Sequence, residues 1–419
     1  MTEESMSIIE KKSCRTDLSS VITIALLVLL STSPRVALAG LFTSPFNPTY
    51  NVGPEAAYLN PAGMTGVKTY AATAGVAGLI YDAEIDVAIA GAGGDDGGDV
   101  GVSSVIPTFF AVAPVSERFR LGVSVFSPLG GPDGFGWDYG DNFAGRYGAQ
   151  KMTFSSIAVA LSAAYQVTDK FSIGGGVSEQ WLEINEKLAI NTFGAGDGQA
   201  NIDIDDWAMM YFLGARYQLS PATSFGLVYR SKWEPELEGD LEITGLAVPV
   251  PTADFKLGVT LPQGIEFGIQ QALSETWILG LTFVWQDWSQ FDKLVVDVAF
   301  AGGATTTATV NSNFTDAYLG GLSLTHIMGG GANIIQFEVN YSSSPVSDSD
   351  RVIALPADEA LFLSLGFAHN TKTVTYALGG ALVFNGDAEV NDIAQGVQFS
   401  GDFDTNVIYV LGGSVEFRF

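Results

Sequence analysis

Apolar residues recur at every second position over stretches of about ten residues, and no apolar run after position 39 approaches the roughly 20 residues of a spanning helix. The C-terminal stretch is the clearest case. Val407, Tyr409, Leu411, Val415, Phe417 and Phe419 share one face, with Gly413 completing the row. Asn406, Gly412, Ser414, Glu416 and Arg418 share the other, with Ile408 and Val410 as exceptions. Tyr376, Leu378, Leu382 and Phe384 alternate with small residues, and so do Trp277, Leu279, Leu281, Phe283 and Trp285. A period of two over such lengths is the pattern of a membrane β-barrel strand, apolar toward lipid and small or polar toward the lumen. An open sheet would leave N–H and C=O groups unpaired in hydrocarbon, so the sheet must close. A soluble β-sandwich also alternates. The low charged fraction of 16%, the mean hydropathy of +0.26 and the 11% aromatic content favour the barrel. The apolar content of 47% is too high for a disordered chain.

The N-terminus reads as a targeting segment. Lys11, Lys12 and Arg15 precede the uncharged run 21–30, and Ala37-Leu38-Ala39 supplies the small residues of a cleavage site. Residues 1–39 are therefore expected to be a cleaved signal peptide. The alternative, a helical anchor, is short: ten residues rise about 15 Å against a core of about 30 Å. The single Cys14 falls in the removed part, so disulfides, a Cys metal site and a lipidated cysteine have no support. The net charge of −27 should repel nucleic acid, whose binding depends on Lys and Arg.

Fourteen strand-like segments begin near Val67, Gly101, Arg118, Met152, Lys170, Asp206, Thr223, Phe255, Thr276, Asp316, Asn333, Ala360, Lys372 and Asn406. The expected fold is all-β, a 14-stranded antiparallel transmembrane β-barrel over residues 67–419. Short connections such as Thr168-Asp169, Ser220-Pro221-Ala222 and Asn370-Thr371 read as periplasmic turns. Long Gly-, Asp- and Asn-rich stretches read as extracellular loops: Gly91–Asp99, Gly130–Tyr147, Asn191–Asp205, Glu234–Asp254, Asp297–Thr315, Pro345–Glu359 and Gly386–Thr405. Residues 40–66 are rich in Pro, Asn and Gly and do not read as a strand; they either hang below the barrel or fold into it.

Several motifs, in order, resemble the FadL/TodX family of outer-membrane transporters for long-chain fatty acids and aromatic hydrocarbons. Asn60-Pro61-Ala62-Gly63-Met64 resembles the motif that closes that family's N-terminal hatch. Phe126-Ser127-Pro128-Leu129-Gly130, Phe143-Ala144-Gly145-Arg146-Tyr147, the run 163–174, Tyr229-Arg230-Ser231, Trp288-Ser289-Gln290-Phe291, Asp316-Ala317-Tyr318, Ser344-Pro345-Val346 and the terminal Phe419 follow. The resemblance covers residues 55–419. It implies an N-terminal hatch (40–66, with Asn60, Pro61 and Ala62) inside the lumen, and passive uptake of hydrophobic compounds with lateral release into the membrane. The release site would lie where strand three bends, at Ser127, Pro128 and Gly130. Pro128 could equally just end the strand. Phe42 and Phe46 are the candidates for ligand lining, or else pack the hatch. The partners implied are a hydrophobic small molecule, outer-membrane lipid, and the barrel-assembly machinery through the strand ending in Phe419; the chain would act as a monomer with no cofactor.

The departures bear on the ligand. The hatch segment is short and could leave an open lumen, which makes a general diffusion porin the alternative. Only fifteen basic residues remain once Lys11, Lys12, Arg15 and Arg35 are gone. The stretches Leu182–Asn185 and Ala304–Phe314 carry none. A buried carboxylate needs a cation, so a neutral hydrocarbon is as plausible a cargo as a fatty acid. His326 and His369 could be metal ligands or an acid–base couple, but read as ordinary barrel positions. Asp95, Asp96, Asp99, Asp203, Asp205 and Asp206 lack calcium-loop spacing and read as solvated loops. No G-x-S-x-G occurs, and no enzyme is expected.

Overall fold

The computed structural model describes residues 46–50 and 53–419 apart from 195, 292 and 302. The signal peptide and Phe42 lie outside the described residues. Fourteen barrel strands run antiparallel: β1 (Ala71–Ala90), β2 (Gly101–Val102 and Ser104–Pro114), β3 (Phe119–Phe126 and Phe135–Asp138), β4 (Lys151–Gln166) and β5 (Phe171–Ile190). Next come β6 (Gly198–Ser220), β7 (Thr223–Arg230 and Glu236–Thr244), β8 (Ala253–Gly258 and Gly264–Ala272) and β9 (Trp277–Gln286 and Lys293–Phe300). The last five are β10 (Thr305–Asn311 and Ala317–Met328), β11 (Asn333–Ser342), β12 (Ala360–Asn370), β13 (Val374–Asn385, continued by Val390–Ala394) and β14 (Val397–Arg418). Each pairs with its neighbours in sequence, and β1 pairs with β14 from Ala71↔Arg418 upward, which closes the sheet. Closure leaves no edge to be solvated, the condition for a sheet in hydrocarbon.

The register follows the sequence. Tyr409, Leu411, Phe417 and Phe419 are exposed outward, whereas Ile408 and Val410 are buried inside. Three connections differ from expectation. β6 begins at Gly198 rather than near Asp206, β10 at Thr305 rather than near Asp316, and β14 at Val397 rather than near Asn406. The stretches that read as loops from Asn191, Glu234, Asp297 and Gly386 are therefore largely strand. The physical reason is a change of solvent. In β6 the outward positions change from Trp207, Met209, Tyr211 and Leu213 to Asp205, Asp203 and Asn201, while Ala200, Ile202 and Ile204 stay buried inside. Above the lipid, polar residues take the outward face and apolar ones the inward face, so the strand carries on with its polarity inverted. β7 does the same with Glu236, Glu238, Asp240 and Glu242 outside and Leu237, Leu241 and Ile243 inside.

Leu411 is 67% exposed within the apolar band. Leu411→Arg is expected to destabilise the barrel by about 2–3 kcal/mol in bilayer unfolding titrations, whereas Glu242→Arg, on an outward position above the lipid, should leave the midpoint nearly unchanged.

Candidate functional site

Inside the barrel a short helix, α1 (Ala56–Leu59), and a 3-10 turn (Pro61–Gly66) are buried against the inner wall. Two Asn-Pro turns make the anchor points. Asn60 Nδ2 donates to the Pro48 carbonyl at 2.9 Å and to that of Ala215 at 3.4 Å, while its Oδ1 accepts from the Ala62 N–H at 3.2 Å. Pro61 starts the turn, where its missing N–H costs nothing. Asn47 repeats the device: its amide donates to the Leu281 carbonyl at 2.9 Å and its Oδ1 accepts from Thr49 N at 3.0 Å. Sequence reading missed Asn47-Pro48-Thr49, although the second Asn-Pro was its signal.

Glycines on the inner wall make room for this contact. A Cβ on Gly214 would lie 2.2 Å from Asn60 Oδ1, one on Gly174 2.7 Å from the Pro61 carbonyl carbon, and one on Gly268 2.2 Å from Asn47 Oδ1. Arg230, in the Tyr229-Arg230-Ser231 motif, ties the end of α1. Its Nε meets Glu266 at 2.8 Å, both side chains being almost fully buried. Its Nη2 donates to the Leu59 carbonyl at 3.0 Å and its guanidinium lies 4.4 Å from the Tyr58 ring centre. The ion pair is thus consumed in holding the segment, and losing one partner of such a pair costs about 3–5 kcal/mol.

Below this segment lies a vestibule of about 540 Å³ whose largely apolar lining carries the ionisable side chains of Tyr50, Glu55, Arg216, Glu416 and Arg418. Burial, and after it the nearby Glu416 carboxylate, push the Glu55 carboxyl up to about 7. Above it the lumen is apolar. Phe46 is buried with its ring 5.4 Å from Phe362 in an edge contact, at the floor of one cluster that includes Leu182, Ile202, Phe255, Val296, Ile408 and Val410. Ile408 and Val410, the exceptions to the alternation, are therefore part of this lining.

Extracellular segments cover this apolar interior, termed the chamber. The loop after β11 brings Ile353 across to β3, where Tyr139 Oη donates to its carbonyl at 3.0 Å. Gln395, beyond β13, donates to the carbonyls of Tyr147 and Ala189 at 3.1 and 2.6 Å. Arg146 binds Asp197 at 2.7 Å and the carbonyl of Gly93 at 2.9 Å, and so links three hairpins. Burial works against the Asp197 carboxylate, but bonds from Arg146 and Tyr147 outweigh it and hold Asp197 below its ordinary range. Five more cations on this side are matched to carboxylates: Lys151 to Asp138, Lys187 to Asp141, Lys232 to Glu234, Lys256 to Glu238 and Arg351 to Asp358.

The wall is interrupted at β3. β3 pairs with β2 up to Phe109↔Val125 and with β4 up to Phe126↔Ala158; pairing resumes with β2 at Val102↔Gly136 and with β4 at Phe135↔Phe154. The segment between, with Ser127, Pro128 and Gly130, folds inward, and Ser127, Leu129 and Gly130 are buried. Side chains replace the missing ladder. Asp133 accepts from Ser104 Oγ at 2.6 Å and from the Val105 N–H at 3.2 Å, and Ser156 Oγ accepts from Leu129 N at 2.8 Å. Pro107 sits two residues beyond Val105, so its backbone nitrogen faces the same break and has no N–H to leave unpaired. That strand proline was a legible signal of the break. The break lies within the apolar band, since Ser104 is level with Leu79 and β1 exposes Val76 and Ile80 there.

The two histidines are not brought together. His326 stacks on Trp277 at 4.2 Å, and His369 Nδ1 lies 2.9 Å from Asn333 Oδ1. Among the described residues no cluster could hold a metal ion.

A closed barrel with an apolar outer band, a covered apolar chamber and an internal N-terminal segment defines an outer-membrane transport protein. Residues 47–419 match the family described as outer membrane protein transport protein (OMPP1/FadL/TodX), and the chain belongs to that family. It is 25% identical over 357 residues to the long-chain fatty acid transport protein of Escherichia coli O6:H1, covering 75% of each chain. Its fold is similar to that of a Pseudomonas aeruginosa FadL homologue, with a TM-score of 0.79, 18% identity and coverage of 94% and 99%. It is also similar to the Pseudomonas putida toluene transporter TodX, with a TM-score of 0.70, 15% identity and coverage of 95% and 100%.

Two outcomes are expected for the internal segment. A raised carboxyl pKa means that protonated Glu55 favours the docked state, fully below its ordinary 4.5 and progressively less as pH rises through 7. Proteolysis of the segment in the purified barrel should accelerate between about pH 5 and pH 8, and Glu55→Gln should flatten that response. Gly214→Val, which forces a side chain onto Asn60, should release the segment and raise conductance in planar bilayers at constant barrel stability.

Proposed function

We propose that the chain is a passive uptake barrel for hydrophobic compounds, with residues 40–66 as its hatch and signal cleavage after Ala39. The observation that carries this reading is the apolar chamber, covered by loops above and floored by the internal segment below. An apolar solute gains free energy on leaving water for such a lining, at about 25 cal/mol per Å² buried. Relatives include a long-chain fatty acid transport protein and a toluene transporter, so both classes of cargo are open to it. The pairing of Arg146, Lys151, Lys187, Lys232, Lys256 and Arg351 with carboxylates of the protein supports a neutral cargo over an ionised fatty acid, because an unpaired buried carboxylate is costly. The porin alternative finds no support in a lumen covered from both ends.

Cargo leaves the chamber sideways through the break at Ser127, Pro128 and Gly130, just above the level where Tyr58 packs on Phe126. The loss of ladder bonds within the apolar band supports this exit. Phe46 lines the chamber floor, and Phe42 lies a short distance upstream on the same segment. The protein works as a monomer without catalysis, and its terminal strand, ending in Phe419, is what the assembly machinery engages.

The exit can be sewn shut. The Ser104 and Asp133 side chains meet across it at 2.6 Å, and the mature chain has no other cysteine. In the double variant Ser104→Cys/Asp133→Cys, oxidation should stop uptake of toluene and of alkanes by whole cells, and a reductant should restore it. Undiminished uptake by the oxidised protein would rule out this exit.

A further inference from the structure

We propose that the chamber selects neutral molecules carrying one hydroxyl on an apolar body, such as phenols and alcohols, and that Glu186 and Trp137 read that hydroxyl; this rests on taking the chamber as the uptake site. The register puts both residues on one inward row. Trp137 on β3 pairs with Met152 on β4, and Met152 pairs with Glu186 on β5. Their backbones are two strands apart, on the order of 10 Å, which two long side chains converging from a curved wall can bridge through one small group.

Both residues are buried, Glu186 to 4% exposure and Trp137 to 8%, and the Glu186 Oε1 and Trp137 Nε1 atoms have no hydrogen-bond partner. The neighbouring inward residues on β5 and β6 are Leu182, Ile184, Leu188, Ile202 and Ile204, all apolar. Buried polar atoms in native proteins are nearly always satisfied, and exceptions mark a binding or catalytic role. Here the two orphans are complementary: the carboxyl oxygen accepts and the indole N–H donates. A hydroxyl is the smallest group that does both. A hydrocarbon satisfies neither. A ligand carboxylate would bring a negative charge into this apolar lining, where an unpaired charge is costly, and Arg146, Lys151, Lys187 and Arg351 are already paired with carboxylates of the protein. Arg146 and Arg351, the two with long reach, are held by Asp197 and Asp358.

The test uses one apolar body with three heads: pentylbenzene, 4-pentylphenol and 4-pentylbenzoate, titrated into the purified full-length barrel at neutral pH. The phenol should bind more tightly than either other head, by about tenfold or more. Glu186→Leu should abolish the preference for the phenol over pentylbenzene, and Trp137→Phe should narrow the gap in the same direction. Heat-modified gel mobility checks that each variant is folded; should Glu186→Leu not fold, Trp137→Phe decides. Equal binding of phenol and hydrocarbon by the wild type, or a preference that survives the variants, overturns the hydroxyl reading and leaves the uptake reading intact. Binding of none of the three overturns the uptake reading as well.

Discussion

Everything in this molecule follows from the need to pair every peptide N–H and C=O that faces hydrocarbon. That need closes the sheet through β1 and β14. It also makes any departure from pairing informative. At the inward bend of β3 the ladder is lost over Ser127–Gly134, and the structure compensates with Asp133, Ser104 and Ser156 and with a proline at position 107. These are weaker and more reversible bonds than a continuous ladder. A wall held by a few side-chain contacts is the place where a barrel can give way without unfolding.

The lumen of such a barrel is divided by a docking device rather than by a folded domain. Two Asn-Pro turns face glycines on the inner wall, and each asparagine both closes its own turn and bonds a wall carbonyl. Arg230 and Glu266 add a charged clamp at the end of α1. The chamber above is apolar and the vestibule below carries charged groups, and the segment between them touches both through Phe46 and Glu55.

The transmembrane register was fully legible, because lipid outside and a small or polar lumen inside impose a strict period of two. The outward face of β14 and the inward Ile408 and Val410 follow from the alternation and its exceptions. The upper strands were not legible as strands. Asn201, Asp203 and Asp205 carry the polarity of a loop, and only the inward Ala200, Ile202 and Ile204 betray the continued pairing with β5. The Asn-Pro turn at Asn60 stands out in the sequence, its duplicate at Asn47 was overlooked, and the row joining Trp137 to Glu186 could not be read, because it depends on cross-strand register and not on spacing along the chain.

The inverted upper strands also set a height. β6 has 23 residues, about 75 Å of strand at roughly 3.3 Å per residue; tilted by about 40°, it stands roughly 57 Å tall against an apolar band of about 25 Å. The mouth therefore opens some tens of ångströms above the lipid. A hydrophobic solute is barred from an outer membrane less by the hydrocarbon than by the hydrated sugar layer above it. With the proposed lateral exit, a barrel that rises through that layer would act as a standpipe, taking up its cargo in open water and delivering it beneath the barrier.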